Sequence, residues 1–254
     1  MNFTRSYHVI RRFLLKIVVP EFFWPVSVEI DGALIGIRNR PYSFGVKWIL
    51  RKRNYENAER GILKDILFEG ANVIEMGGSI GVLTSIISKG IGVKGRIVSI
   101  EASESITKYS KKWLEKLGNI KVETGFGFPV FETPRSLVVR TFDESAGSLG
   151  GIVKFDHTAP PTREPEEDIF DLKTIIKKHN LQPDILVIDI EGSESIMKTV
   201  KPDFPLSIKN ILIELHPGLY ENGQVDKDAI IETIRREGFV LEKCDFESCL
   251  FKRQ

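Results

Sequence analysis

Ile74-Glu75-Met76-Gly77-Gly78-Ser79-Ile80-Gly81-Val82 decides the fold of this chain. Val73 and Ile74 lead in as an apolar run, and Val82-Leu83-Thr84-Ser85-Ile86-Ile87 follows with helical spacing. The pattern reads as a buried strand, a glycine turn and a helix. Glycines let the backbone approach a ligand closely, and the helix start offers N–H groups. A second apolar strand, Ile97 to Ile100, ends in Glu101. A glycine turn with an acid roughly twenty residues on is how a doubly wound sheet holds a nucleoside, the carboxylate taking the ribose hydroxyls.

Two registers of the turn name different cofactors. A dinucleotide fingerprint places glycine at its first, third and sixth positions. With Gly78 and Gly81 as the last two, Met76 falls on the first, which disfavours a pyrophosphate. The other register starts from an acid, Glu75-x-Gly77-x-Ser79-x-Gly81. It is the first motif of class I S-adenosylmethionine methyltransferases, with Ser79 in place of the middle glycine. A leading carboxylate suits a ligand carrying an ammonium group. The plain alternative is a tight strand–helix turn with no ligand.

Outward from the turn, strands and helices alternate. Asn72–Met76, Arg96–Glu101, Asn119–Thr124, Asp184–Glu191 and Asn210–His216 read as strands. Residues 55–68, 82–89, 103–117, 169–179, 194–200 and 229–237 read as helices. Phe239–Glu242 and Ser248–Phe251 read as a closing antiparallel pair. Alternation of this kind predicts an α/β, Rossmann-like class I methyltransferase fold: a seven-stranded, mostly parallel sheet with helices on both faces. Residues 125–165, rich in glycine and proline, break the pattern as a β-rich insertion where acceptor selection is expected. Ahead of the domain, Val26–Ile30, Asp31-Gly32 and Ala33–Ile37 form a hairpin signal. The division expected is an N-terminal extension over 1–54 and a methyltransferase domain over 55–254.

A chain of 254 residues can bury a full core, and a net charge of +1 gives no global attraction to nucleic acid. The charge is uneven: residues 1–53 hold ten Lys/Arg and three Asp/Glu. Residues 1–25 combine Arg5, Arg11, Arg12 and Lys16 with bulky apolar side chains, but no stretch reaches the roughly twenty apolar residues of a membrane span. The segment reads either as a helix packed on the domain or as a basic amphipathic contact with a membrane or partner. Cys244 and Cys249 fit no zinc spacing and no disulfide framework, and are expected as plain strand residues in a reducing, cytoplasmic setting, with association at an inner membrane surface left open.

In an open parallel sheet the ligand lies at the carboxyl ends of the strands, and four strands here end in acids. Glu75 is expected at the methionine ammonium and Glu101 at the ribose. Gly77, Gly78, Ser79, Gly81, Ala102, Gly125 and Phe126 complete the donor set, with Asp189 near the reactive methyl. Asp189 and His216 are the candidate bases, and Glu191, Glu214 and His216 line the acceptor side. A divalent ion bridged by Asp189 and Glu214 or His216 is chemically possible, but Glu214-Leu215 does not supply the Asp-Asn pair of catechol-type metal sites, so no metal is expected.

Asn72–Val82, the block Asp184–Glu194 and Ile211–His216 together resemble the FkbM family of methyltransferases, as does Tyr55-Glu56 ahead of the first domain helix. The resemblance runs over about residues 28–245 and leaves 1–25 outside. It implies S-adenosylmethionine as donor and O-methylation of a hydroxyl on a sugar, lipid-linked glycan or small metabolite. Two departures stand out: Glu75 with Gly77-Gly78-Ser79 where that family has Asp and Gly-Ala-Asn, and Val187 where it often has Lys. The rival readings are a catalytically silent cofactor-binding module and a nucleic-acid methyltransferase using the basic N-terminal region. An oxidoreductase is disfavoured by Met76.

Overall fold

The computed structural model describes residues 20–133, 138–143, 152–156 and 169–254. The expectations for residues 1–19, and for the remaining parts of the 125–165 insertion, lie outside the described residues. The chain forms two compact units, Met1–Asn57 and Ala58–Gln254.

In the first unit β1 (Ser27–Ile30) and β2 (Ala33–Gly36) pair antiparallel. Asp31 and Gly32 join them with φ of 45° and 78°, the left-handed turn that Asp-Gly favours. Helix α1 (Phe44–Arg51) follows, its N-terminus capped by the Ser43 hydroxyl, which accepts from the Val46 N–H. Residues 47–53 hold Lys47, Arg51, Lys52 and Arg53, a run of basic residues in sequence. A helix forms because Val46 and Leu50, one turn apart, are buried while Trp48 and Arg51 face outward.

The second unit runs α2 (Asn57–Leu63), β3 (Asn72–Met76), α3 (Val82–Ile91), β4 (Arg96–Glu101), α4 (Glu104–Leu114), β5 (Ile120–Thr124). It leaves the sheet for β6 (Phe126–Phe128), β7 (Val138–Asp143), β8 (Ile152–Asp156) and β9 (Ile169–Asp171). It returns through α5 (Leu172–His179), β10 (Ile185–Ile188), β11 (Asn210–Glu214), α6 (Gln224–Arg236), β12 (Phe239–Asp245) and β13 (Ser248–Arg253). The main sheet has the order β12-β13-β11-β10-β3-β4-β5. Five strands are parallel; β13 enters antiparallel beside β11, and β12 pairs antiparallel with it. That order, with the last strand inserted between its two predecessors, is the class I methyltransferase fold.

Strand alternation builds both layers. Ile74, Met76, Val98, Ile100, Leu186 and Ile188 face α5, α6 and the short helix Ser193–Lys198 through Ile175, Ile230, Ile234 and Met197. Val73, Ile97, Ile185 and Val187 face α2, α3 and α4 through Leu63, Leu83, Ile87 and Leu114. Helices therefore cover both faces of the sheet, the condition for burying parallel strands.

Several elements differ from expectation. Ile169–Asp171 is a strand paired parallel with β6, and the helix starts only at Leu172, where Asp171 accepts from the Thr174 N–H as a cap. Residues 193–198 form a 3-10 helix after Gly192. No helix among the described residues is long and apolar enough to cross a membrane.

The cysteines are also corrected. Cys244 and Cys249 oppose each other in the β12–β13 pair and are disulfide-bonded. Spacing alone suggested no bridge, but hairpin register brings two residues five apart into contact, and the cysteine argument for a reducing compartment falls with it. The loop closed is short, so reduction is expected to lower stability by about 2 kcal/mol or less. Denaturant melts with and without reductant check this.

Candidate active site

The glycine turn is pinned to the sheet. Gly77 and Gly78 N–H groups both donate to the Ile100 carbonyl, at 2.8 and 3.0 Å, and the Gly81 N–H donates to the Gly78 carbonyl. The Ser79 N–H donates to Glu101 Oε2 at 2.8 Å, with Ser79 itself in the left-handed region at φ 46°. Gly77, at φ 92°, passes so close to the end of β10 that a Cβ would stand 1.6 Å from the Asp189 carbonyl oxygen. A Cβ on Gly78 would meet the Ser99 hydroxyl at 2.1 Å, and one on Gly81 would meet Leu114 at 2.7 Å. Sequence reasoning gave these glycines to the ligand; the structure gives them first to strand and helix packing.

Glu75 and Glu101 lie buried beside this turn, at 1% and 6% exposure. The Thr84 hydroxyl donates to Glu75 Oε2 at 2.6 Å, while Oε1 is buried with no hydrogen-bond partner among the described residues. Burial pushes the Glu75 carboxyl up to about 7; hydrogen bonds from Ser99 and Thr84 oppose it, and the Glu101 charge adds to the rise. Glu101 also rises to about 7 through burial, against the N–H groups of Ser103, Ser79 and Ala102 that bind it. Ala102 and Gly125 follow the ends of β4 and β5, and Phe126 begins β6. The Gly125 N–H donates to the Glu101 carbonyl, so the donor-side candidates share the carboxyl edge of the sheet.

Both carboxyl values are raised in the fold above ordinary values near 4.5. The folded state therefore binds these protons more tightly than the unfolded chain. Their favourable contribution is complete below about 4.5 and is lost as pH rises through about 7. The ligand-free protein is expected to melt higher at pH 5 than at pH 8. Glu75→Gln should narrow that difference, as calorimetric melts across pH will check.

The acceptor side is built at the ends of β10 and β11. Asp189 continues the sheet, its N–H donating to the Met76 carbonyl at 2.8 Å. Glu191, at φ 50°, and Gly192, at φ 98°, turn the chain into the short helix. His216 follows β11 by two residues. Its Nε2 lies 3.5 Å from Asp189 Oδ1, 3.8 Å from Glu214 Oε2 and 4.0 Å from Glu191 Oε2, so the four acceptor-side candidates meet. Its Nδ1 lies 3.1 Å from Glu194 Oε1.

Glu194 is the residue that sequence reasoning missed. Its side chain is wholly buried. Besides His216, it accepts from the Tyr220 hydroxyl at 3.2 Å and the Ile190 N–H at 3.2 Å. Tyr220 in turn accepts from the His216 N–H at 2.9 Å. A glutamate two residues past Gly192, inside the block Asp184–Glu194, was the available signal.

Burial opposes a charge on His216, but the Glu194 hydrogen bond and the charges of Glu194, Asp189 and Glu214 outweigh it and raise the imidazole to about 10. In the ion-free protein these carboxylates favour the protonated ring over a free base. Burial also pushes the Glu214 carboxyl upward, against the His216 charge.

Residues 59–130 match the family model of protein-L-isoaspartate(D-aspartate) O-methyltransferase (PCMT). The match spans under a third of the chain, from α2 through β6, and holds the glycine turn, Glu101 and Gly125. It overturns the resemblance to the FkbM family: the model that matches is PCMT. The Asp184–Glu194 and Ile211–His216 blocks that carried the resemblance lie outside the matched residues. No curated protein matches the chain. Among solved structures, the chain is similar to Aeropyrum pernix fibrillarin with natively bound S-adenosyl-L-methionine, at 15% identity and a TM-score of 0.44, covering 76% of this chain and 71% of that one. It is similar to a SAM-dependent methyltransferase from Aquifex aeolicus at 14% identity and 0.41, covering 76% and 87%. A precorrin-6y C5,15-methyltransferase from Geobacter metallireducens GS-15 matches at 12% identity and 0.42, covering 77% and 86%. The fold itself is defined by strand order and register.

Proposed function

We propose that this protein is an S-adenosylmethionine-dependent methyltransferase acting on a hydroxyl oxygen of a sugar, glycan, lipid-linked or small-metabolite acceptor. One observation carries the donor: two buried carboxylates, Glu75 and Glu101, flank a turn whose Gly77, Gly78, Ser79 and Gly81 N–H groups already bond within the protein. A pyrophosphate needs free amides and no adjacent anions. A sulfonium with an ammonium group suits the opposite arrangement. Glu75 Oε1, buried without a partner, is the acceptor for that ammonium, and Glu101 keeps lone pairs for the ribose hydroxyls.

Methyl transfer is an in-line displacement by the acceptor oxygen on the sulfonium methyl, and alignment supplies most of the rate. Asp189 at the end of β10 is the residue assigned to the acceptor's proton. His216, held by Glu194 through Nδ1, keeps Nε2 beside Asp189 and so positions that carboxylate. The acceptor-side acids lie beyond residue 130, outside the PCMT match, so the isoaspartyl reaction in that family's name is not carried over. The small net charge of +1 gives no support to a nucleic-acid acceptor.

Asp189→Asn is expected to retain binding of S-adenosylhomocysteine within a few-fold and to lose turnover by ~10²–10⁴-fold, the range for a proton-transfer group. Release of labelled methyl from the donor onto a panel of hydroxyl acceptors checks it. Turnover unchanged by the substitution removes Asp189 from the chemistry.

A further inference from the structure

Asp189, Glu214 and His216 bring one ligand atom each to within 4.8 Å of one another. His216 Nε2 faces Asp189 Oδ1 at 3.5 Å and Glu214 Oε2 at 3.8 Å, longer than good N–H···O bonds of about 2.7–3.2 Å. Metal–ligand bonds of about 2.1 Å to the two histidine–carboxylate pairs open at roughly 110–130°, angles a four- or five-coordinate ion accepts, and the two carboxylate oxygens must come within about 4.2 Å of each other to share the ion.

A second observation stands outside those three residues. His216 Nδ1 is already held by Glu194, whose side chain has no exposure and is fixed by Tyr220 and the Ile190 N–H. The ring cannot turn without breaking that bond, so Nε2 stays aimed at the two carboxylates. This is the carboxylate–histidine–metal arrangement, in which an outer carboxylate sets the tautomer and direction of the ligating ring. Charge points the same way. Among the described residues, the ion pairs of Glu191, Glu194 and Glu214 all converge on this one imidazole. Negative charge is left in excess at a crevice edge.

We propose that Asp189, Glu214 and His216 hold one divalent ion of the manganese–iron–zinc group. One imidazole nitrogen with two carboxylates is the donor set of these borderline ions, whereas calcium and magnesium take oxygen alone. The ion takes the place of the Nε2 proton, and three protein ligands leave positions open to an acceptor hydroxyl. That last role rests on the methyl-transfer reading; ion binding itself does not. It replaces the expectation of no metal, which came from the missing Asp-Asn pair; the sequence left Glu214 or His216 as alternatives beside Asp189, and the fold brings both together with it.

The experiment is a manganese(II) titration of the purified full chain without donor, followed by electron paramagnetic resonance, with S-adenosylhomocysteine binding measured in parallel. One saturable site with nitrogen hyperfine coupling is expected. His216→Ala and Glu214→Gln should abolish it, and Glu194→Gln should weaken it ~10–100-fold as outer-carboxylate changes do. The exposed Glu232→Gln should leave it unchanged. No saturable binding, bound manganese without nitrogen coupling, or equal affinity in His216→Ala overturns the proposal. Should His216→Ala fail to fold, the nitrogen coupling in the unaltered protein decides. S-adenosylhomocysteine binding without manganese binding overturns the ion alone, and the reverse result overturns the donor reading alone.

Discussion

Gly77→Ala is expected to destabilise the protein by about 3–5 kcal/mol and to remove donor binding with it. Two costs add. The residue lies at φ 92°, where a side chain is strained, and its Cβ would stand 1.6 Å from the Asp189 carbonyl oxygen. That oxygen belongs to the backbone at the end of β10, so relief requires separating β10 from β3 at the site. Gly118 provides the control: its φ of 88° is nearly the same, but nothing lies within 4 Å of its Cβ. Gly118→Ala should therefore cost only the backbone strain, about 1–2 kcal/mol. Equal denaturant midpoints for the two variants would mean that the Gly77–Asp189 contact has no energetic weight.

Glu194→Ala is expected to cost about 3–5 kcal/mol, because it strips the partner from a buried charged imidazole and leaves the Tyr220 hydroxyl without its acceptor. Glu194→Gln keeps an acceptor oxygen and removes the charge, so it should cost less and lower the His216 pKa from about 10. His216 titrates higher in the fold than its ordinary 6.5, so its stabilisation is complete below that value and is lost as pH rises through about 10. Glu194→Gln should flatten the fall in stability over that window. A histidine NMR titration of both proteins reads the shift directly; an unchanged pKa in Glu194→Gln would show that the other carboxylates alone hold the proton.

The sheet was legible because its strands are apolar runs of fixed length closed by acids. Ile97 to Glu101 and Asn210 to Glu214 could be placed within a residue or two, and the acids at their ends were placed at the same edge. What escaped depended on partners distant in sequence. Helix α1 looked like a charge run because Lys47, Arg51 and Lys52 hid the buried pair Val46 and Leu50. The cysteine bridge follows from hairpin register, which spacing does not reveal. Glu194 looked like a helix-start acid, and only the fold of β11 against the short helix brings His216 onto it. The family resemblance failed for a related reason. It rested most on the Asp184–Glu194 block at the acceptor side, while the PCMT match lies in the donor half.

The donor assignment is the central claim, and calorimetric titration of the full chain with S-adenosylhomocysteine, with NAD in parallel, tests it most directly. Saturable micromolar binding of S-adenosylhomocysteine alone is the predicted result, weaker in Glu75→Gln because the ammonium loses its carboxylate. Binding of NAD, or no binding of S-adenosylhomocysteine to a folded protein, would contradict the reading of the Glu75–Gly81 turn as a methyl-donor site.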